Sequence, residues 1–283
     1  MKNTATDMLR IFYKYSSLVI LLLFFSGCKS SEKQVDSEPR SVETYSVSSD
    51  VDQTFFYAGE PEVSTYPNSV DVYYNEGYVS GYDEERGVPA WVGYRVFEVD
   101  EYNTFSRPSR FLIDQRTSNR VSHDDYTNSG YDRGHMAPNF AIVTRFGQEA
   151  QRETFYMTNI IPQKPSLNRH WWQRLERLIA RDYSERYDEV WVITGPVYQE
   201  SSEWLNDKVK VPSHNFMIVK TEDGGEVKMK AFIVHQDVES SEPHVPYLTT
   251  VREIEEQTGF NFNPLMDESI ADSLETLEID VMW

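Results

Sequence analysis

Four segments of this chain are dense in β-branched and aromatic residues and end at glycine, proline or polar turns. They are VPAWVGYRVFEV (88–99), YDEVWVITGPVY (187–198) and the runs 216–220 and 227–234. Such residues favour extended strands. The stretch TEDGGE, which separates the last two runs, is a hairpin signal. The pattern therefore predicts a β-sheet core.

Helical patterns are fewer. Within residues 168–187, apolar side chains recur at helical spacing on a face opposite several arginines, namely Trp171, Leu175, Leu178 and Ile179. Thr250, followed three residues later by Glu253, predicts a capped helix over 251–257 that ends before Gly259. There is no repeat and no second change of composition. We therefore predict one α+β domain, with a mixed, largely antiparallel sheet and flanking helices.

The N-terminus has the pattern of an export signal. Basic residues precede the short apolar run LVILLLFF (18–25), and small residues follow it. The run is shorter than the ~20 residues that span a bilayer as a helix. Cys28, the only cysteine, directly follows Ser26 and Gly27 and resembles the lipid-attachment site of bacterial lipoproteins. We expect an exported protein, lipid-anchored to the cell envelope through Cys28 and facing periplasm or exterior; an ordinary secretory signal is the alternative.

Composition divides the rest of the chain. After a signal peptide at 1–27, residues 28–72 are polar and Ser-rich, which predicts a lipid-attached tether. Order should begin near Tyr57 and by Tyr73 at the latest, and we set the folded domain at 73–263. The acidic C-terminal tail, 264–283, either wraps the surface or stays loose. With one cysteine, the domain has no intramolecular disulfide and depends on packing.

Charge is unevenly distributed. The whole chain carries a formal net charge of −19, yet residues 131–181 hold eight Arg and Lys against four Asp and Glu. That segment is therefore +4 and the remainder −23. A basic segment in an acidic protein suits a polyanion-binding site. For Arg174, Arg177 and Arg181 alone, a solvated helix face is an equal alternative.

Chemically useful side chains concentrate in this basic segment. In SGYDRGHMAPNF (129–140), His135 is a candidate general base, and Arg133 can point to the same side of a strand, with a guanidinium that suits phosphate. Asn159 and Asn168 follow. Glu176 lies eight residues after Asn168, which places both on roughly one side of a helix. Their oxygens suit Mg²⁺, so base, metal ligand and phosphate clamp together predict phosphodiester hydrolysis.

Each of these residues also has an ordinary structural explanation. A single histidine in a strand is usually structural, an asparagine before a helix is usually a cap, and a glutamate among arginines usually forms surface ion pairs. The combination is more specific than its members. A zinc site is disfavoured, because the other five histidines show no ligand spacing.

The motifs DYTNSGYDRGHMAPNF (125–140) and TNIIPQKPSLNRHWWQRLE (158–176) closely resemble the DNA/RNA non-specific endonucleases of the ββα-metal (His-Me finger) superfamily. RFLIDQ, VWVITGPVY and TTVREIEEQTGFNF resemble further parts of that family, so the likeness extends from about Tyr73 to Phe262. The resemblance implies a ββα-metal motif within the predicted sheet-and-helix domain.

The resemblance also implies roles. His135 would deprotonate the attacking water, and Asn168 would be the only direct protein ligand of Mg²⁺, for which Mn²⁺ can substitute. Glu176 would hold metal-bound waters. Arg133 would stabilise charge on the phosphorus, and Asn159 would help to fix the site.

Other positions carry over less directly. Arg110 aligns with the family's upstream arginine and is expected to contact phosphate, while Asp132 is expected to orient its loop. Some members have an arginine one turn after the glutamate, where this chain has Ala180. Arg177 or Arg181 would have to take that role.

The expected activity is metal-dependent hydrolysis of DNA and RNA, insensitive to sequence and sugar, with 5′-phosphate products. One alternative is a catalytically idle surface lipoprotein that binds nucleic acid or a protein partner through the same fold. Another is a hydrolase of cyclic or lipid phosphodiesters. A homodimer and an inhibitor protein are conceivable partners that the sequence does not reveal.

Overall fold

A computed structural model describes residues 54–283, and its centre is a seven-stranded sheet. The strand order is β10-β9-β8-β7-β4-β3-β2, and every neighbouring pair is antiparallel. These strands are β2 (Asp71–Tyr74), β3 (Tyr78–Asp83), β4 (Val88–Phe97), β7 (Glu189–Val197), β8 (His214–Asp223), β9 (Glu226–His235) and β10 (Leu248–Thr249). The predicted antiparallel α+β fold is confirmed.

Two further strand pairs lie outside the main sheet. β5 (Asp132–His135) pairs antiparallel with β6 (Ile160–Gln163), and β1 (Glu62–Val63) pairs antiparallel with β11 (Phe260–Asn261). The helices are α1 (Asn139–Glu153), α2 (Gln173–Leu178), α3 (Ser184–Arg186), α4 (Val251–Thr258) and α5 (Glu268–Glu275). None of the helices within residues 54–283 has the length and apolar character needed to cross a membrane.

The predicted strands and cap are found close to their expected positions. The hairpin between β8 and β9 turns at Gly224 and Gly225, which both have positive φ, a conformation that favours glycine. The Thr250 side chain accepts a hydrogen bond from the Glu253 amide, and α4 ends at Gly259 in the left-handed region. Local turn and cap chemistry therefore fixed these boundaries.

The helix predicted over residues 168–187 is continuous but not uniform, and we call residues 167–186 the active-site helix. Wider π-helical turns at Leu167–Trp172 and Ile179–Tyr183 flank α2, and α3 completes the helix. Its apolar face, including Trp171 and Leu175, is fully buried against the sheet. Together with the β5–β6 hairpin, this helix forms a ββα unit on one face of the sheet.

The sheet separates two apolar cores. Alternate residues of a strand point to opposite faces, so Met217 and Val219 pack under the active-site helix while Phe216 and Ile218 pack on the other side. The second core is covered by α4 and by the segment around Phe56. The ββα unit thus rests on a sheet that is buried on both faces.

Ordered structure begins earlier than the boundary at 73. Phe56 and Tyr57 are buried at 6% and 0% exposure, and β1 pairs with β11. Residues 54–72, assigned above to the tether, therefore belong to the folded domain, because their aromatic side chains fill the second core. The expected signal peptide, Cys28 and the rest of the tether lie outside the described residues.

The acidic tail packs on the domain. Asn263 Nδ2 donates to Glu275 Oε1 at 2.7 Å, and the ring of Trp283 lies 5.1 Å from that of Tyr183. Lys220, buried in β8, donates from Nζ to the carbonyl oxygens of Tyr57 and Phe262 and to Asn263 Oδ1. One buried amino group therefore joins segments from both ends of the described domain. Of the two alternatives for the tail, the structure shows the wrapped one.

Candidate active site

A cleft of about 570 Å³ opens between the β5–β6 hairpin, the active-site helix and the loop that precedes Phe111. His135, Asn168 and Glu176 all line it. Five arginines line the same cleft: Arg107, Arg133, Arg169, Arg177 and Arg181. The structure thus brings together the three residues predicted as base and metal-site residues, in a strongly cationic cavity.

Strand β5 sets the spacing of Arg133 and His135. Both line the cleft, as their two-residue separation on one strand predicts. Gly134 between them points the other way, and a Cβ there would lie 2.1 Å from Gln163 Oε1 on the paired strand. The intervening residue is therefore a glycine because β6 leaves no room for a side chain.

His135 is held in an aromatic slot. Its ring centroid lies 5.2 Å from that of Phe111 and 5.1 Å from that of Phe155. Its Nε2 is buried and has no hydrogen-bond partner among the described residues. Burial, and to a lesser degree the charge of Arg107, lowers the pKa of His135 to about 3. The imidazole is therefore neutral at pH 7 and able to accept a proton.

Arg133 is partly committed to the protein. Its Nε and Nη2 donate to the His123 carbonyl oxygen at 3.0 and 2.5 Å, and Nη2 also donates to Thr127 Oγ1 at 3.0 Å. These bonds hold the guanidinium on the short helical turn His123–Tyr126. The side chain reaches the cleft in a fixed orientation, which suits a phosphate contact.

Glu176 is a carboxyl group without a cationic partner. No ion pair connects it to any residue among 54–283, although it lines the cleft with Asn168. Burial raises the pKa of Glu176 to about 8, against smaller opposing effects of Trp172 and Arg107. A hydrated cation beside it would remove this penalty. Amide and carboxylate oxygens are hard donors, so Asn168 and Glu176 fit Mg²⁺.

Asn168 is oriented by an ion pair at the start of the active-site helix. Its Nδ2 donates to Asp132 Oδ2 at 3.0 Å, and the Arg169 guanidinium also binds the Asp132 carboxylate. Asp132 was expected to orient its loop; it instead links β5 to the helix. No sequence motif marks Arg169, and its position beside Asn168 is the one signal for it.

The upstream arginine of the cleft is Arg107 rather than Arg110. Arg110 forms an exposed ion pair with Asp124 at 2.8 Å and does not line the cleft. Arg107 lies over the Phe155 ring at 5.4 Å, close enough to influence the pKa of His135. The place in the cleft that the sequence pattern assigned to Arg110 is therefore occupied by Arg107. The motif SRPSRF offers both arginines, and only the path of the loop distinguishes them.

Arg177 and Arg181 both reach the cleft. Arg181 lies 4.9 Å from the Tyr102 ring and 5.1 Å from the Phe140 ring, so two aromatic side chains hold its guanidinium. Ala180 is buried and also lines the cleft. The π-helical turn Ile179–Tyr183 inserts additional residues per turn here. This turn helps to bring Arg181 to the side of the helix that faces the cleft, where Ala180 provides no charge.

Asn159 has a structural position. It is fully buried and does not line the cleft. Its Oδ1 accepts from the Ala137 amide at 2.8 Å, and its Nδ2 donates to the carbonyl oxygens of Ala137 and Thr154. The prediction of a catalytic Asn159 is corrected, because every polar group of its amide is already used. It fixes the backbone two residues after His135.

Not all cations of the basic segment face the cleft. Arg174 donates to the carbonyl oxygens of Ser240 and Glu242, Lys164 pairs with Asp237, and Arg145 donates to the Ala180 carbonyl. Arg174 and Arg145 thus tie the active-site helix to its surroundings. Arg174 is not part of a solvated face, because it binds backbone, whereas Arg177 and Arg181 are exposed and line the cleft.

A β-hairpin that carries a histidine, followed by a helix that carries an asparagine and a glutamate, defines the ββα-metal class of nuclease fold. The sequence profile of the family "DNA/RNA non-specific endonuclease" matches residues 60–269. The chain belongs to this family.

Several named proteins are similar to this chain. Nuclease EXOG, mitochondrial, from Mus musculus is 30% identical over 210 residues, covering 66% of this chain and 55% of its own length. Endonuclease G, mitochondrial, from Bos taurus is 32% identical over 158 residues, covering 51% and 52%. A nuclease from Syncephalastrum racemosum is 30% identical over 230 residues, covering 70% and 69%. The chain thus spans about half the length of the EXOG and endonuclease G relatives.

The fold is also similar to that of a solved structure. A crystal structure of an EndoG/EndoGI complex, concerned with the mechanism of EndoG inhibition, matches with a TM-score of 0.62 at 26% identity. The match covers 69% of this chain and 86% of that one.

Proposed function

We propose that this protein is a metal-dependent endonuclease that hydrolyses DNA and RNA phosphodiester bonds largely irrespective of base sequence and sugar. The observation that carries the proposal is the cleft itself. A neutral histidine, an asparagine and an unpaired glutamate lie among five arginines. Such a cavity suits a phosphodiester, whose charge the arginines would neutralise.

His135 is the proposed general base. Its depressed pKa keeps the imidazole unprotonated at neutral pH, so that it can take the proton of an attacking water. The aromatic slot formed by Phe111 and Phe155 restricts the ring and excludes bulk water from its sides. A strongly depressed pKa also makes His135 a weak base. The reaction therefore depends on precise positioning and on charge stabilisation elsewhere in the cleft.

Asn168 and Glu176 are the proposed residues for Mg²⁺, with Mn²⁺ as a substitute. Asn168 would be the direct ligand, and Glu176 would hold the water shell. Held by these residues, a divalent cation would supply charge neutralisation at the phosphate and an acidified water near the leaving oxygen. The carboxyl group of Glu176, which forms no ion pair with any residue of the described domain, supports this assignment.

The arginines are assigned to the phosphate. Arg133, fixed by the His123 carbonyl oxygen, would contact the scissile group, and Arg107 would contact it from the opposite loop. Arg177 and Arg181 would hold neighbouring phosphates. Because these contacts are to phosphate rather than to base edges, cleavage should show little sequence preference. The expected products carry a 5′-phosphate.

The cellular location is a separate proposal. A lipid on Cys28 would attach the domain to the bacterial cell envelope, facing periplasm or exterior, and the sequence pattern around Cys28 supports this. A protein inhibitor that covers the cleft is also proposed, with support from the similarity to EndoG in its complex with EndoGI.

The activity is tested by incubating the full chain, purified in detergent, with supercoiled plasmid and with RNA in Mg²⁺, Mn²⁺ or EDTA. We expect metal-dependent degradation of both substrates and its loss in His135→Ala. His170→Ala is the matched control, because His170 is exposed, two residues after Asn168, and outside the cleft. Intact substrates with folded protein and either metal would refute the nuclease. Retained binding would then favour the idle nucleic-acid-binding protein.

A further inference from the structure

Asp132 is the acceptor for three hydrogen bonds from the first turn of the active-site helix. Arg169 donates from Nε to Oδ2 at 2.7 Å and from Nη2 to Oδ1 at 2.6 Å, a two-point contact with the carboxylate. Asn168 donates from Nδ2 to Oδ2 at 3.0 Å. The side chain of Asp132 is 17% exposed and that of Arg169 is 62% exposed. A largely buried anion on β5 is thus neutralised by an arginine at the rim of the cleft.

This arrangement fixes which way the Asn168 amide faces. An ionised carboxylate has no hydrogen to donate, so it can only face the NH₂ group of an amide. Arg169 meets both oxygens of Asp132 as a two-point ion pair, which is the contact of an ionised carboxylate. Asn168 Oδ1, the oxygen a metal needs, is therefore directed away from Asp132.

Arg169 also determines what Asp132 is free to do. Without it, the Asp132 carboxylate could rotate, and the Asn168 amide would lose the fixed acceptor that orients it. The two-point contact occupies both carboxylate oxygens and prevents rotation of the group. The first turn of this helix has no side-chain cap, so this contact is what ties its start to β5.

We propose that Arg169 is a positioning residue that locks Asp132 and thereby presents Asn168 Oδ1 to the catalytic metal. The inference rests on the proposed metal-dependent function, in which Asn168 is the ligand. Arg169 acts through Asp132 and not on the metal or the reacting phosphate. Changing it should therefore alter metal affinity before it alters nucleic-acid affinity.

The rival role for Arg169 is a direct phosphate contact, since it lines the cleft. Its Nε and Nη2 are both occupied by Asp132, so this role would use only the remaining Nη1. The two roles differ in their signature. A phosphate contact raises KM for nucleic acid and leaves the metal requirement unchanged. A positioning role raises the metal concentration needed for half-maximal activity.

The test compares wild type with Arg169→Ala and Arg169→Lys, in the full chain. Mn²⁺ binding is measured from the loss of the free-ion signal in electron paramagnetic resonance, without substrate. Arg169→Ala should bind Mn²⁺ about 10-fold more weakly, the size of effect seen when groups that orient metal ligands are removed. Arg169→Lys should be intermediate, because an ammonium keeps the charge but not the two-point contact. Arg152→Ala, which removes an exposed charge outside the cleft, is the control.

The outcomes separate the inference from the proposed function. If wild type binds Mn²⁺ and cleaves while Arg169→Ala shows unchanged Mn²⁺ affinity, the positioning role is wrong and the nuclease stands. If wild type neither binds Mn²⁺ nor cleaves, both fail. If the circular dichroism spectrum shows that Arg169→Ala is unfolded, the Mn²⁺ affinity of Arg169→Lys decides the test. An affinity equal to that of wild type then overturns the proposal.

Discussion

The ring of His135 meets that of Phe155 edge to face, at 5.1 Å between centroids and 81° between planes. Phe155 is 3% exposed, and Phe111 closes the opposite side of the slot. This contact connects the packing of the domain to the acid–base property of its candidate catalyst, because the desolvation that lowers the pKa of His135 comes from these rings. Changing the slot should therefore change the pH dependence of the reaction.

The first prediction concerns that pH dependence. The pKa of His135 is lowered from 6.5 to about 3, so the loss of kcat on acidification should begin well below pH 6.5. Phe155→Ala admits water to the ring, and its acid limb should move toward pH 6.5. The measurement is kcat as a function of pH at saturating Mg²⁺. Parallel reactions with EDTA or with Mn²⁺ show how much of the cleavage depends on the metal. Unchanged limbs in Phe155→Ala would show that another group sets the profile.

The same shift has a stability consequence with a definite sign. The folded protein favours neutral His135, so the stability this group contributes is present above pH 6.5 and is lost as pH falls toward about 3. Phe97→Ala is the control for a general loss of packing, because the Phe97 ring lies 5.8 Å from that of Phe146, outside the cleft. This variant should lower the free energy of unfolding but leave the acid limb of the kcat–pH profile unchanged.

The second prediction separates the two arginines of the upstream loop. Arg107→Ala should lower kcat/KM about 10²-fold, the effect of removing one preorganised charge contact. Arg110→Ala removes only an exposed ion pair, worth about 0–1 kcal/mol, and should be nearly silent. Steady-state cleavage of a short fluorescent oligonucleotide measures both. If Arg110→Ala has the larger effect, the loop adopts a different path over substrate.

The third prediction concerns Asn159. Asn159→Ala leaves two backbone carbonyl oxygens and one amide without their buried partner, at about 1–3 kcal/mol for each unsatisfied group. It should lower the free energy of unfolding in urea by about 3 kcal/mol or more. His135→Ala leaves a cavity between Phe111 and Phe155 but no backbone group without its partner, so its cost is one of packing alone. A fully stable but inactive Asn159→Ala would restore the catalytic role that the structure removes.

The fourth prediction uses the raised pKa of Glu176. With a pKa of about 8, this carboxyl group is largely protonated at pH 7 in the metal-free protein. Mg²⁺ favours the ionised form, so binding should release about one proton at pH 7. Calorimetric titrations in two buffers of different ionisation enthalpy count that proton. Glu176→Gln should release none, and equal enthalpies in both buffers for wild type would contradict the metal assignment.

The sign of the Glu176 effect on folding is opposite to that of His135. Its folded pKa lies above the ordinary value of 4.5, so its contribution to stability is present below pH 4.5 and is lost as pH rises through about 8. The metal-free protein should therefore lose stability over this range. Added Mg²⁺ should restore it at the alkaline end, which thermal melts with and without EDTA would show.

Much of this architecture was predictable because its causes are local. Alternating β-branched and aromatic residues specify strands, Gly224 and Gly225 specify a hairpin turn, and Thr250 specifies a helix start. The two-residue spacing of Arg133 and His135 likewise determines that both face one way. In each case the deciding interaction spans only a few residues of sequence.

The structure differs from the sequence-based predictions where the position of a residue depends on contacts between distant segments of the chain. Arg107 and Arg110 are indistinguishable by type, and only the packing of Arg107 on Phe155 places it in the cleft. The domain boundary at 73 is later than the aromatic residues at 55–57 that fill the second core, although order is expected from near Tyr57. Asn159 carried a catalytic prediction because sequence does not show that its amide is already fully bonded.

Lys220 gives the domain an unusual kind of cooperativity. Its buried Nζ donates to backbone at Tyr57 and at Phe262, and Asn263 extends the connection to Glu275 in α5. Release of either segment exposes a buried amino group that the other still contacts, so the two segments should open as one unit rather than fray separately. Hydrogen exchange around Tyr57 and around Phe262 should therefore report the same opening event. Force applied to the segment around Tyr57 should therefore disrupt the packing of α5 before it disrupts the cleft.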